Sequence, residues 1–112
     1  MISYNNKIFR AVKTADNSEV DIDMVFHYHQ TDNILHCAYH GGKIKYGHLI
    51  GVVAADGSID MCYHQINEKG VLMAGTCKST PEVLAEGKIR LHETWQWTLG
   101  DTSSGTTILE EV

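Results

Sequence analysis

Proline is nearly missing from this chain, with one residue in 112 beside ten glycines. That composition excludes a proline-rich linker and a collagen-like repeat. Long apolar runs are also missing. No stretch of about 18 apolar residues occurs, so no transmembrane helix and no membrane partner are expected. The N-terminus, Met1 to Lys7, is polar and has no signal-peptide apolar stretch. Positive charge is scarce: Lys and Arg number 9 against 14 Asp and Glu, giving a net charge of -5. Nucleic-acid affinity comes mostly from clustered Lys and Arg, so no nucleic-acid partner is expected. The cysteines number three and form no CxxC. This points to free thiols and a cytoplasmic location. A phosphate loop is absent too, since Gly41-Gly42 joins two strands with no helix after it. What remains is one domain over residues 1–112.

What the chain does contain is regular turn chemistry. Asp32-Asn33, Gly41-Gly42, Asp56-Gly57, Glu68-Lys69-Gly70, Ser79 to Gly87 and Gly100 to Gly105 each follow a short alternating run. Two-residue Gly-Gly and Asp-Gly links favour β-hairpins. The runs between them are rich in Ile, Val, Tyr, Trp and Thr, which suit a pleated surface. The pattern predicts eight strands over about 7–13, 23–31, 34–40, 43–55, 58–67, 71–78, 88–99 and 106–111. The best helix candidate is short, Pro81 to Glu86, with Ser79 or Thr80 as cap.

Hairpin register then sorts side chains onto two faces. A two-residue Asp32-Asn33 loop sets Tyr28 opposite Cys37 and Phe26 opposite Tyr39. A Gly41-Gly42 loop sets Tyr39 opposite Ile44 and Leu35 opposite His48. An Asp56-Gly57 loop sets Ile50 opposite Tyr63 and His48 opposite Gln65. One shared face is mainly apolar: Met24, Phe26, Leu35, Ile44, Ile50, Val52, Ile59 and Met61, then Val71, Met73, Ile89, Leu91, Trp95, Trp97 and Leu99. With no helix to cover that face, the sheet must curl into an up-and-down barrel or fold into two layers. Short successive links favour the barrel, and Gly47, Gly51 and Gly75 read as sites of curvature or close packing.

The same register puts Tyr46, His48, Tyr63, Gln65, Cys77 and Glu93 inside. Glu93 carries the most information, because its strand reads Ile89-x-Leu91-x-Glu93-x-Trp95-x-Trp97. An unpaired buried carboxylate costs several kcal/mol. Glu93 must be protonated, bonded, or turned toward water in a cavity. One reading is a ligand pocket in which Trp95 and Trp97 form apolar walls and Glu93, His48, Gln65 and Tyr63 orient a polar group, with Cys77 nearby. The other is a self-satisfied buried network. A third use of the same residues is acid/base catalysis by Glu93 with His48.

Other groups read more plainly. His27, His29, His36 and His40 fall on the outer face, without a carboxylate to support them, so no metal site and no cofactor are expected. Cys37 and Cys77 read as small core residues, and Cys62 as an outward thiol beside Asp60 and His64.

Four segments carry a family resemblance: Asn6 to Arg10, Gly47 to Gly51, Tyr63 to Asn67 with Gly75 to Ser79, and Leu91 to Trp97. The chain resembles a family of small bacterial proteins of about this length, some of them labelled N-acetylglutamate synthase. The resemblance maps recurrent positions onto Gln65, Asn67, Cys77, Ser79, Glu93, Trp95 and Trp97. Its label would imply acetyl transfer, although the chain offers no strand-loop-helix pyrophosphate cradle.

Together these observations predict an all-β, eight-stranded antiparallel up-and-down barrel resembling lipocalins and fatty-acid-binding proteins, with a sandwich as the alternative. The expected function is binding of a small, partly apolar molecule. The other readings are an enzyme using Glu93, and a packed interaction protein that forms a homodimer through an open sheet edge.

Overall fold

Alternating sequence becomes nine antiparallel strands in a computed structural model that describes residues 2–99 and 102–112. Met1, Gly100 and Asp101 lie outside the described residues, and so does that part of the expected Gly100 to Gly105 turn. The strands are β1 (Ile8–Thr14), β2 (Val25–His27), β3 (His29–Thr31), β4 (Ile34–Gly41), β5 (Ile44–Val53), β6 (Ile59–Asn67), β7 (Leu72–Val83), β8 (Ile89–Leu99) and β9 (Ser104–Glu111). Their order in the sheet is β2-β1-β9-β8-β7-β6-β5-β4-β3. The two ends of that order, β2 and β3, are separated along the chain by Tyr28 alone. The sheet therefore closes on itself as an up-and-down barrel. The expected strand 23–31 is one segment that pairs with β1 before Tyr28 and with β4 after it. This accounts for nine strands where eight were expected.

Closure also removes the edges. Beside β3, Tyr4 N donates to Gln30 Oε1 (2.8 Å) and Gln30 N donates to Asn5 Oδ1 (2.9 Å). The open edge expected to serve a homodimer is occupied by the protein's own N-terminal segment. The expected helix over Pro81 to Glu86 is also corrected, since Pro81 to Val83 complete β7. Pro81 lies beyond the last β6–β7 pair, Ile59 with Ser79, and has only β8 beside it. A strand residue with one open side tolerates a missing N–H.

Three hairpins share one turn. Ala54 N donates to Ser58 O, Asn67 N to Val71 O and Leu84 N to Lys88 O. Each loop has three residues and ends in a glycine with positive φ: Gly57 (88°), Gly70 (77°) and Gly87 (86°). A type I turn followed by a left-handed glycine is the standard three-residue hairpin. The loop at Asp56-Gly57 is thus one residue longer than expected.

That difference matters for β5. The tight turn after β4 is Gly42-Lys43, because Gly41 pairs with Ile44. A bulge then shifts register between Ile44 and Tyr46, and Lys45 and Tyr46 both point outward. One extra residue flips every later side chain to the other face. Gly47, Leu49, Gly51 and Val53 face inward, while Tyr46, Ile50 and Val52 face outward and His48 is only half-buried among them. Val71 and Leu99, at strand ends, are also exposed. The remaining expected core residues, from Met24 and Phe26 to Trp95 and Trp97, are buried.

The inward set packs unevenly along the barrel. At one end Tyr4, Phe9 and Tyr28 form an aromatic plug, with ring centroids 5.0–6.3 Å apart, and all three are fully buried. Tyr4 Oη anchors the plug by donating to Gly57 O. Toward the other end the rings are held apart across glycines. Tyr39 pairs with Gly47, Tyr63 with Gly75 and Trp95 with Gly105. A Cβ on any of these glycines would overlap the ring opposite. Close packing, as read from the sequence for Gly47, Gly51 and Gly75, is what these glycines provide.

Candidate functional site

Above the plug the barrel keeps an interior cavity. Its volume, counted as the space open to the centre of a water molecule, is about 60 Å³. Strands supply the apolar walls: Phe26, Leu49, Met61, Trp95, Trp97 and Leu109. Trp95 and Trp97 meet edge to face at 5.7 Å, and Tyr63 meets Trp97 the same way at 5.4 Å. The rings brace one another, and Trp95 Nε1 is fixed by donating to Thr107 Oγ1 (3.0 Å). The loop between β1 and β2 brings Ser18, Glu19 and Val20 over the mouth.

Two polar groups sit among these walls. Near the mouth, Tyr39 Oη donates to Gln65 Oε1 (2.8 Å), Gln65 Nε2 to Glu19 Oε1 (2.8 Å) and Asn67 Nδ2 to Glu19 Oε2 (2.9 Å). This chain fixes the loop to β6, while Asn17 Nδ2 fixes it to β9 through Ser104 O (3.0 Å). Deeper, Glu93 pairs across the sheet with Ser79 on one side and Thr107 on the other. Ser79 Oγ donates to Glu93 Oε2 at 2.6 Å. The other oxygen, Oε1, has no hydrogen-bond partner among the described residues.

Burial governs the protonation of this group. It pushes the Glu93 carboxyl up to about 7, against the opposing pull of the Ser79 hydrogen bond. Burial also raises the Cys77 thiol strongly, and the nearby Glu93 charge adds to it. Cys77 is a protonated wall residue rather than a nucleophile. Tyr28 is raised well above the ordinary phenol range, first by burial and then by Glu93. Its hydroxyl is buried with no partner among the described residues. A buried polar group left unbonded costs roughly 1–3 kcal/mol, so such a group calls for an explanation.

Of the expected site residues, Tyr63, Gln65, Cys77, Glu93, Trp95 and Trp97 line the cavity. His48 does not. It lies on the outer face, where its ring stacks on His64 with centroids 5.8 Å apart. The β5 bulge is the reason, and the expected Glu93–His48 pair is not formed. Asn67 and Ser79, which the family resemblance singled out, are buried beside the cavity and bonded to its two carboxylates. Sequence reasoning did not assign site roles to Glu19, Tyr28, Tyr39 and Thr107. Tyr28 and Tyr39 were already on the inward register, so that signal was available for them. Glu19 sits in a loop without periodicity and had none. His27, His29 and His36 form an outer stack with ring centroids 4.6 and 5.4 Å apart. No cluster of three His, Cys, Asp or Glu among the described residues is arranged to hold a metal ion.

Comparison with known proteins agrees with this architecture. Neither a curated protein nor a solved structure matches the chain. A family model described as Avidin-like protein matches residues 2–112. The match spans every strand of a closed antiparallel barrel with one interior cavity, and the chain belongs to the avidin-like family.

Proposed function

We propose that the barrel binds a small, partly apolar molecule in its interior cavity. Trp95 and Trp97 wall the ligand, Glu93 holds its polar end, and Tyr63 and Gln65 line the cavity beside it. One observation carries this reading. The Tyr28 hydroxyl is buried with no partner among the described residues, and Glu93, which lines the cavity, leaves one carboxylate oxygen unbonded. A barrel evolved only to be filled would bond or replace both groups. Mostly apolar walls with a few convergent polar atoms are the usual makeup of a ligand site.

Avidin-like barrels bind small ligands such as biotin, which makes biotin the first compound to test. Biotin exceeds the roughly 60 Å³ of this cavity, so smaller compounds are tested beside it. The test is a titration followed by the fluorescence of Trp95 and Trp97, using biotin, fatty acids and small amino-acid derivatives. Saturable change with at least one class is expected. No response to any class contradicts the reading.

We infer that a homodimer, if formed, uses the outer sheet face instead of an edge. Ile34 pairs with Val52, and Ile50 with Cys62, on the outer surface. Ile34, Ile50 and Val52 are each about half exposed (49%, 51% and 54%). The adjoining charges, Asp60 and Lys78, neutralise each other at 3.5 Å. Contiguous exposed apolar surface of this kind marks interaction sites. Sedimentation should show a dimer that Ile50→Lys converts to monomer. A parent protein that stays monomeric at about 100 μM, where a micromolar dimer would form, contradicts this.

A further inference from the structure

The cavity lining is unusual in its charge. Phe26, Tyr28, Tyr39, Tyr63, Trp95 and Trp97 turn six rings toward it. Glu19 and Glu93 contribute two carboxylates, and no Lys, Arg or His is among the described lining residues. Both oxygens of Glu19 are occupied by Gln65 and Asn67, whereas Glu93 Oε1 is not. Aromatic faces carry negative potential and attract cations most strongly when water is excluded. A buried carboxylate without a counter-charge is costly, and a partner of opposite charge removes that cost. An anionic group would be repelled by Glu93 wherever that carboxyl is ionised. A neutral ligand would leave the Glu93 charge uncompensated.

We propose that the ligand is a small organic ammonium ion, with its nitrogen at Glu93 Oε1 and its carbon chain against Trp95 and Trp97. This rests on the binding reading above and names the ligand class. Cavity size limits the ion. Space of about 60 Å³ open to water-sized centres admits an ion of only a few heavy atoms. That is the size of n-butylamine. An N–H can donate to Glu93 Oε1, and the chain replaces water against the indoles.

The test compares n-butylamine, n-butanol and butyrate on the full chain, by calorimetry and tryptophan fluorescence. At pH 8 the amine should bind at least ten-fold more tightly than the alcohol, and butyrate should not bind. Between pH 8 and pH 6 amine affinity should fall about ten-fold, because the ionised fraction of a carboxyl titrating near 7 falls by that factor. Glu93→Gln should erase both the preference and the pH dependence. Glu93→Asp, which keeps the charge on a shorter side chain, should retain the preference for the amine over the alcohol and gives a second reading should Glu93→Gln not fold. Equal or tighter binding of butanol overturns the ammonium proposal and leaves the pocket standing. So does amine binding that Glu93→Gln does not change. No response to any of the three, nor to the larger compounds above, removes both.

Discussion

Unfolding in urea is expected to need more denaturant at pH 5 than at pH 8, and the difference should disappear in Glu93→Gln. The folded carboxyl is raised from 4.5 to about 7 by burial. Between those values the unfolded chain has released the proton and the folded chain still holds it. Stability therefore falls as pH rises through this window, and it is level above about pH 7. A shift of that size corresponds to roughly 3 kcal/mol. Asp56 and Glu82 do not confuse the comparison. Ser58 holds the Asp56 carboxyl below its ordinary range and His92 does the same for Glu82, so both titrate beneath the window. Glu93→Gln keeps the shape and a polar contact for Ser79 while removing the ionisation. At pH 8 it should match or exceed the parent by about 2 kcal/mol, somewhat less than the full linkage because a charge-assisted hydrogen bond is lost. A variant less stable than the parent at pH 8 would mean that Glu93 is well solvated or paired.

Gly75→Ala is expected to be the most damaging single methyl addition in the barrel. The position faces Tyr63 across β6 and Trp97 across β8. An added Cβ would overlap both the Tyr63 hydroxyl end and the Gln96 carbonyl oxygen. The ring can yield, but the backbone oxygen cannot move without breaking the β7–β8 ladder. Overpacking of this kind costs about 1–3 kcal/mol. The melting temperature should fall accordingly, by about 10 °C or more for a chain of this length. Gly70→Ala is the control, because a Cβ there meets nothing and adds only the strain of a positive φ (77°). Equal losses at the two positions would show that backbone conformation, not ring packing, explains the glycines.

The sequence carried the strand pattern well, because alternation and turn residues act locally. It placed Glu93, Trp95 and Trp97 inside, since the nine residues of strict alternation from Ile89 to Trp97 admit one answer on β8. It failed on β5 for a definite reason. A bulge at Lys45 and Tyr46 leaves no compositional mark, so Ile50 and Val52 looked like core and His48 like a site residue. The same reading made the Asp56-Gly57 loop one residue too short. The two errors cancelled in parity, which is why Met61, Tyr63 and Gln65 on β6 were still placed inward. Glu19 could not be read at all, because its role depends on where a non-repeating loop lands. Tyr28 was on the right face, but its lack of a partner is a property of three-dimensional packing.

The most direct test is a ¹³C NMR titration of the Glu93 side-chain carboxyl in the folded protein. A midpoint near pH 7 is predicted, moving to lower pH when n-butylamine is bound. A midpoint near 4.5, unchanged by the amine, would place the carboxyl in ordinary solvent and contradict the cavity as a binding site.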